Sequence, residues 1–216
     1  MRAIAGNQYR SSMIKRFLLV CFSLVASVHA QQLVGGEFAL NDASRQSVQE
    51  SVQKMGNEVL KSNFRFAVDK MYPRWKTRQA KRLGSEVKLL AAFNNAGIQM
   101  QEAGITLDSF VANPALKTYK VHPKMKAGRS EIRSSDDVVY ELLVFVPTKM
   151  KMTFLLKNQP KRSFLRESFQ VAIAKEGSND WTFLDGATIS VKDLRSLFPL
   201  LPHNLVLPTK ADTEIK

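Results

Sequence analysis

The stretch that most constrains the fold is VVYELLVFV, residues 138–146, because both of its faces are apolar. Successive side chains of an extended strand point to opposite sides of a sheet. Leu142 and Val144 would therefore lie on one side, and Leu143 and Phe145 on the other. Such two-sided apolarity is typical of a strand at the centre of a sheet that is covered on both faces. We therefore expect a central strand here, with packed layers above and below it.

Before this strand the pattern is helical. Apolar residues recur every three or four positions in three segments. They predict helices near 43–61, from Phe64 to Met71 with Pro73 closing the second, and from Glu86 to Gly104 with the stripe Val87, Leu90, Phe93, Ala96 and Met100. The basic stretch RWKTRQAKRLGSE, residues 74–86, lies between the second and third helices.

After Gly104 the period changes to that of strands. The predicted strands cover 105–110, 116–122, 138–154 with a kink or bulge at Pro147, 165–174 and 181–185, and a short helix at 194–198 follows. Helices followed by hairpin-connected strands predict an α+β fold. We expect three N-terminal helices packed on a strongly curved antiparallel sheet, with a short C-terminal helix.

The N-terminus has the pattern of an export signal. From Met13 it reads MIKR, then FLLVCFSLVA, then SVHA before Gln31, which are a basic region, an apolar region and a small-x-small cleavage site. The apolar run of roughly 12 residues is shorter than the roughly 20 needed to span a bilayer. We predict that residues 1–30 form a signal peptide, and the sequence leaves open whether translation starts at Met1 or Met13.

Removal of this segment changes the charge and the available chemistry. It takes away four basic residues and no acidic one, which lowers the net charge from +13 to +9. It also removes Cys21, the only cysteine, and leaves His122 and His203 far apart in sequence. Cysteine proteases, dithiol redox proteins and zinc fingers are thereby excluded for the exported chain. We predict no cofactor and no metal site.

Four segments carry a resemblance to a known superfamily. They are FAVDKMYPRW, SEVKLLAAFNNAGIQMQEAGI, VVYELLVFVPTKMKMTFLL and WTFLDG with LRSLFPLLPHNLVLP. Over roughly residues 44–208 the chain resembles a secreted bacterial branch of the nuclear transport factor 2-like superfamily, whose fold is an α+β cone. With this resemblance we expect a lead-in at 31–42, the domain at 43–208 and a flexible tail at 209–216. The family's catalytic motifs are not found in this chain, and the location it implies is the periplasm or the exterior of a bacterium.

Aromatic and acidic residues mark the candidate pocket. The resemblance implies that Tyr72 and Trp75 lie near the mouth of the cone, with Tyr119 approaching from the sheet. Glu141, beside Tyr140 in the apolar strand, could have a raised pKa and act as an acid or base. We favour the alternative that it points toward one of three basic residues on the sheet: Lys149, Lys151 or Arg166.

Asp185 is the second candidate carboxylate. It stands in WTFLDG at the end of a predicted strand, directly before Gly186. A carboxylate at such a position commonly accepts nearby backbone N–H groups. We favour this turn-forming role, and the alternative is a pocket carboxylate.

Basic residues cluster at 74–82, 117–133 and 149–161, and the candidate basic surface takes its residues from the first two clusters. They are Arg74, Lys76, Arg78, Lys81 and Arg82, and then Lys117, Lys120, Lys124, Lys126 and Arg129. Base readout needs stacking aromatics or a recognition helix, and neither is interleaved with these clusters. We therefore expect no nucleic acid. Anionic cell-envelope components are the partners that this charge would attract, and the alternative is a basic face that only keeps the protein in solution.

Two functions from different classes follow. The first is an exported non-catalytic binding module, with a small-ligand or peptide pocket in the cone and a basic surface. The second is a small-molecule lyase, isomerase or hydrolase that uses Glu141 or Asp185 with a tyrosine. An enzyme needs at least two titratable groups converging on one open pocket. A homodimer formed through the sheet is a further expectation.

The export signal predicts the mature N-terminus. We expect the exported protein to begin at Gln31 or Gln32, because cleavage follows the small-x-small site. N-terminal sequencing of the exported protein measures this directly, and an intact Met1 or Met13 would contradict export.

Overall fold

The structure, a computed structural model, describes residues 37–121, 140–155 and 159–215. These residues form an α+β fold with five helices and a six-stranded antiparallel sheet that is not closed. The helices are α1 (Asp42–Leu60), α2 (Phe64–Asp69), α3 (Pro73–Leu83), α4 (Glu86–Glu102) and α5 (Val191–Leu197). The strands are β1 (Ile105–Ala112), β2 (Thr118–Val121), β3 (Glu141–Phe154), β4 (Arg162–Lys175), β5 (Thr182–Asp185) and β6 (Ala211–Ile215). Within these ranges, none of the helices has the length and apolar content to cross a membrane.

Strand β3 is the centre of the sheet. It pairs with β4 over its whole length, from Glu141 opposite Lys175 to Phe154 opposite Arg162. Its other edge pairs with β2 near its start and with β1 near its end. The predicted central strand is therefore confirmed from Glu141 onward, and residues 138–139 lie outside the described ranges.

Pro147 does not interrupt β3, contrary to the prediction. The pairing of β3 with β4 passes through Pro147 opposite Phe169 without a shift in register. The carbonyl of Pro147 accepts the N–H of Asn113 at 2.8 Å. In an antiparallel strand the N and C=O of one residue face the same neighbouring strand. The nitrogen of Pro147 therefore faces the connection between β1 and β2. Because this nitrogen does not face β4, the missing N–H removes no hydrogen bond between β3 and β4. The irregularity lies in β1 instead, between Leu107 and Ser109.

The sheet is covered on both faces, as predicted from the two apolar faces of β3. Helix α1 packs Val48 and Val52 against one face. Helix α5 and the segment after it pack Leu194 and Phe198 against the other. The α1-side core is built from Leu40, Val48, Val52, Met55, Phe110, Ala112, Leu142, Val144, Val146, Ala172, Ala174, Trp181 and Phe183. The α5-side core is built from Tyr72, Tyr119, Val121, Leu143, Phe145, Phe169, Val171, Ile173, Leu184, Ile189, Leu194, Leu197, Phe198, Leu201 and Leu205.

The basic stretch after Pro73 is a helix, so four helices precede the sheet rather than the three predicted. Pro73 begins α3 and does not close α2, which already ends at Asp69 with Lys70 as its C-cap. Proline is favoured at the first helical position, where its missing N–H has no intrahelical partner to lose. Gly84 ends α3 in the left-handed conformation with φ 99°.

Helix α4 packs less deeply than its predicted apolar stripe implies. Leu89, which is outside that stripe, is its buried residue, whereas Val87 at the head of the stripe is 78% exposed. The helix begins at Glu86 with Ser85 as its N-cap, as predicted. Leu90, Phe93 and Met100 of the predicted stripe are half-buried, whereas Val87 and Ala96 are exposed, so the predicted inward face is confirmed only in part.

The C-terminal residues form a strand in place of the predicted flexible tail at 209–216. Ala211–Ile215 pairs with β4 as β6. Two double hydrogen bonds join the strands, from Arg162 to Glu214 at 2.7 Å and from Arg166 to Asp212 at 2.8 Å. Such bidentate pairs add geometric specificity to an exposed strand pairing.

The position of β3 predicts its hydrogen exchange. The amides of Leu142–Val146 should exchange among the slowest of the described residues, because both edges of β3 are paired and both faces are buried. Native-state amide exchange followed by mass spectrometry or NMR measures this. Exchange in this segment as fast as in the edge strand β6 would contradict the sheet order.

Candidate functional site

Tyr72 and Glu141 form the closest contact between predicted site residues. Tyr72 is the N-cap of α3, and its backbone N–H donates to the carbonyl of Phe183 at 2.9 Å. Its ring lies 5.4 Å from the ring of Phe198, and the residue is only 3% exposed. From this fixed position its hydroxyl donates to Oε2 of Glu141 at 2.9 Å. The contact joins the start of α3 to the start of β3.

The surroundings shift both pKa values upward. Burial raises the pKa of the Glu141 carboxyl, although the hydrogen bond from Tyr72 and the charges of Arg74 and Lys175 oppose the shift. Burial, followed by the charge of Glu141, raises the pKa of the Tyr72 hydroxyl. At neutral pH Tyr72 is therefore a hydrogen-bond donor and not a base.

The basic partners predicted for Glu141 are wrong. Its cross-strand neighbour is Lys175. Lys149 pairs with Glu167 instead, and Arg166 pairs with Asp212. Lys151 lies ten positions further along the same strand, which is roughly 33 Å at 3.3 Å per residue.

Of the other predicted pocket residues, Tyr119 and Trp75 lie in or beside the α5-side core, whereas Tyr140 is not part of it. Tyr119 is 4% exposed and meets Phe145 edge-to-face, with ring centroids 6.1 Å apart. Trp75 is half-buried and packs against the same core. Tyr140 is partly exposed, and Nζ of Lys120 lies 4.4 Å from its ring centroid. The structure thus brings Tyr72, Trp75 and Tyr119 together as packing residues of one core.

Asp185 is an exposed turn residue at the end of β5. Its Oδ1 accepts the N–H of Ala187 at 3.0 Å, and its backbone carbonyl accepts the N–H groups of Thr188 and Ile189. Asp185 is opposite Gln170 of β4, five positions from the partner of Glu141. Five residues of strand span roughly 16 Å. The two candidate carboxylates therefore do not converge on one site.

Residues of α3 divide into those that bind the protein and those that face solvent. Nη1 of Arg74 donates to the carbonyl of Leu197 at 2.9 Å. Arg78 contacts two residues three positions apart on α5: it donates to Oγ of Ser196 at 2.8 Å and lies 3.9 Å from the carboxylate of Asp193. These two arginines dock α3 on α5.

The remaining predicted basic residues differ in their pairing. Lys76 pairs with Glu86 at 2.8 Å. Lys117 pairs with Glu37, and Lys120 with Glu176. Lys81 and Arg82 are exposed and form no ion pair with any carboxylate of the described ranges. Lys124, Lys126 and Arg129 lie outside those ranges.

A polar groove along α1 is a feature that the sequence analysis missed. Its volume is about 560 Å³. It is lined by Gln46, Gln49, Glu50, Gln53, Lys54, Asn57, Glu58, Lys61 and Ala112. Gln49 and Gln53 are already bound to the backbone of β1, at Ala112 and Phe110. The sequence did contain a signal for this groove, because glutamines recur at helical spacing on the side of α1 that faces away from its apolar residues.

No cluster of three or more potential metal ligands occurs among residues 37–121, 140–155 and 159–215. The candidate functional groups described above are a part-buried tyrosine-carboxylate pair, an exposed aspartate turn and the two cations at the end of α3.

The raised pKa of Glu141 predicts a pH-dependent stability difference. A carboxyl whose pKa is raised by folding stabilises fully below its ordinary value near 4.5 and loses that contribution as pH rises through the folded value. Glu141→Gln keeps an acceptor oxygen for Tyr72 and cannot ionise. Its free energy of unfolding relative to wild type should therefore increase from about pH 4 to about pH 7 in urea titrations.

The matched control is Glu176→Gln. Glu176 directly follows β4, and its partly exposed carboxylate pairs with Lys120. A rise in relative stability that is equal for both variants would contradict a special environment for Glu141.

Asp185 predicts a contrast between two substitutions. Asp185→Asn keeps an acceptor for the N–H of Ala187 and should change stability little, whereas Asp185→Ala should lower it by about 1 kcal/mol. Thermal or urea unfolding of both variants tests this. A clear stabilisation by Asp185→Ala would indicate a strained functional carboxylate instead.

Comparisons with known proteins do not assign these features to a family. No protein-family model, no curated protein and no solved structure matches this chain.

Proposed function

We propose that this chain is an exported, non-catalytic binding module that holds anionic components of the cell envelope at a basic surface. The observation that carries the proposal is the composition of α3, which has five basic residues and no acidic one. Two of them, Lys81 and Arg82, are exposed at its end and pair with no carboxylate of the described ranges. A concentrated charge of one sign attracts partners of the opposite sign.

The scaffold in this proposal is a nuclear transport factor 2-like cone, in which N-terminal helices pack against a curved antiparallel sheet. The proposal rests on the resemblance of the sequence and on the order of helices before strands. The packing of α1 against β1 and β3 is compatible with it.

The geometry of the carboxylates supports a module without catalysis. The Tyr72 hydroxyl and the Glu141 carboxylate bind each other, and the tyrosine is buried. Asp185 serves a turn roughly 16 Å along the sheet. A catalytic pair needs groups that converge where a substrate can enter.

The alternative is a lyase, isomerase or hydrolase that uses Glu141 with Tyr72. Their hydrogen bond and their raised pKa values favour it. Against it, the face of the sheet that holds this pair is filled by the aromatic rings of Phe145, Phe169 and Phe198. For the same reason we place the binding site on the surface and not in an interior pocket.

The salt dependence of binding tests the proposal. Binding to vesicles with anionic lipid, or to soluble polyphosphate, should be measurable at about 10 mM salt and weaken strongly at about 150 mM, where the Debye length has shortened from about 30 Å to about 8 Å. K81Q/R82Q should weaken binding by about fivefold for each charge removed. Co-sedimentation and fluorescence anisotropy measure the two cases.

The control is K161Q/K192Q, which removes two exposed lysines that likewise pair with no described carboxylate but lie outside α3. It should leave binding within about twofold of wild type. Absence of binding to both probes at low salt would reject the proposed function, and equal losses in the two double variants would reject α3 as its location.

A further inference from the structure

The turn between α3 and α4 exposes apolar side chains. Gly84 and Ser85 connect the two helices, and Oγ of Ser85 accepts the N–H of Lys88 at 3.1 Å. On either side of this short connection Leu83 is 43% exposed and Val87 is 78% exposed. The short turn between α3 and α4 therefore presents two large aliphatic side chains to solvent.

Three cations surround these aliphatic residues. Lys81 and Arg82 precede Leu83, and Lys88 follows Val87. All three are exposed and pair with no carboxylate of the described ranges. Nζ of Lys88 lies back over the turn, 3.5 Å from where a Cβ on Gly84 would be.

The nearest acidic residue in sequence does not offset these charges. Glu86 is the one acidic residue between positions 73 and 101, and its carboxylate is occupied by Lys76 at 2.8 Å. The turn between α3 and α4 therefore has exposed apolar side chains at its centre, and the positive charges around them are not balanced by a nearby carboxylate of the described ranges.

We propose that this turn docks on an anionic lipid surface, with Leu83 and Val87 entering the headgroup-acyl boundary and Lys81, Arg82 and Lys88 meeting lipid phosphates. This inference rests on the proposed function and names the partner of the same basic surface. A bilayer surface provides both an apolar layer and negative charge, as membrane-surface elements require. A hydrated anionic polymer would use the cations but would leave Val87 in water.

Ile98 limits the depth of the contact. It is another exposed large apolar residue of α4, at 53%, and lies eleven positions after Val87. Eleven residues of helix span roughly 16 Å. We propose that the turn enters end-on, and at the depth of about 5–10 Å typical of interfacial elements Ile98 then stays above the lipid.

The test compares Val87→Ser with Ile98→Ser, two equivalent truncations on one helix. The exported protein is mixed with phosphatidylcholine vesicles that contain phosphatidylglycerol, and in parallel with soluble polyphosphate. Val87→Ser should lower the vesicle partition coefficient by about tenfold, which is the effect of withdrawing roughly one buried aliphatic side chain. Its polyphosphate affinity should stay within about twofold of wild type, and Ile98→Ser should leave both unchanged.

The remaining variants separate this inference from the proposed function. K81Q/R82Q should weaken both vesicle and polyphosphate binding. If Val87→Ser leaves vesicle binding unchanged while K81Q/R82Q weakens both probes, the basic surface stands and lipid insertion is rejected. If Ile98→Ser weakens vesicle binding as much as Val87→Ser, the turn is not the contact. If wild type binds neither probe, the proposed function itself is rejected. Unchanged melting temperatures of both serine variants exclude unfolding as the cause.

Discussion

The burial of β3 on both faces and along both edges is the constraint on which the rest of the structure depends. Leu143 and Phe145 enter the α5-side core, while Val144 and Val146 enter the α1-side core. Each such aliphatic or aromatic side chain contributes about 1.5–3 kcal/mol through its removal from water. Because one strand supplies both cores, neither layer of helices is packed independently of the other.

The same constraint explains why part of the fold could be predicted from the sequence. A strand with two apolar faces has few stable positions other than the middle of a covered sheet, so β3 was predictable. The capping box of Ser190 and Asp193 was predictable too, because its hydrogen bonds span only three residues. Helix α3 was not, since a proline can either end a helix or begin one and local sequence does not decide between the two. Strand β6 depends on charge pairs between residues 46 and 52 positions apart, which leave no local signal.

The candidate site shows the same division. The apolar surroundings of Glu141 were visible in the sequence, and burial does raise its pKa. Its true partner was not visible, because Tyr72 is 69 residues away and is brought to it by the docking of α3 on the sheet. Asp185 could be interpreted locally, since its acceptor role involves residues two and three positions later. The exposure of Val87 was hidden because an apolar stripe indicates which face of a helix turns inward but not how much of its length is covered by the rest of the protein.

The coupling of the two cores through β3 is tested most directly by the two tryptophans. Trp75 packs against the α5-side core, and Trp181 is buried in the α1-side core, where its Nε1 donates to Ser47 of α1 at 3.1 Å. In Trp181→Phe the remaining fluorescence reports one face of the sheet, and in Trp75→Phe it reports the other. Within each variant, urea unfolding followed by tryptophan fluorescence should coincide with unfolding followed by far-ultraviolet circular dichroism, as a single cooperative unit requires. A fluorescence transition separated from the circular dichroism transition in either variant would show that the two cores unfold independently and would contradict the central role of β3.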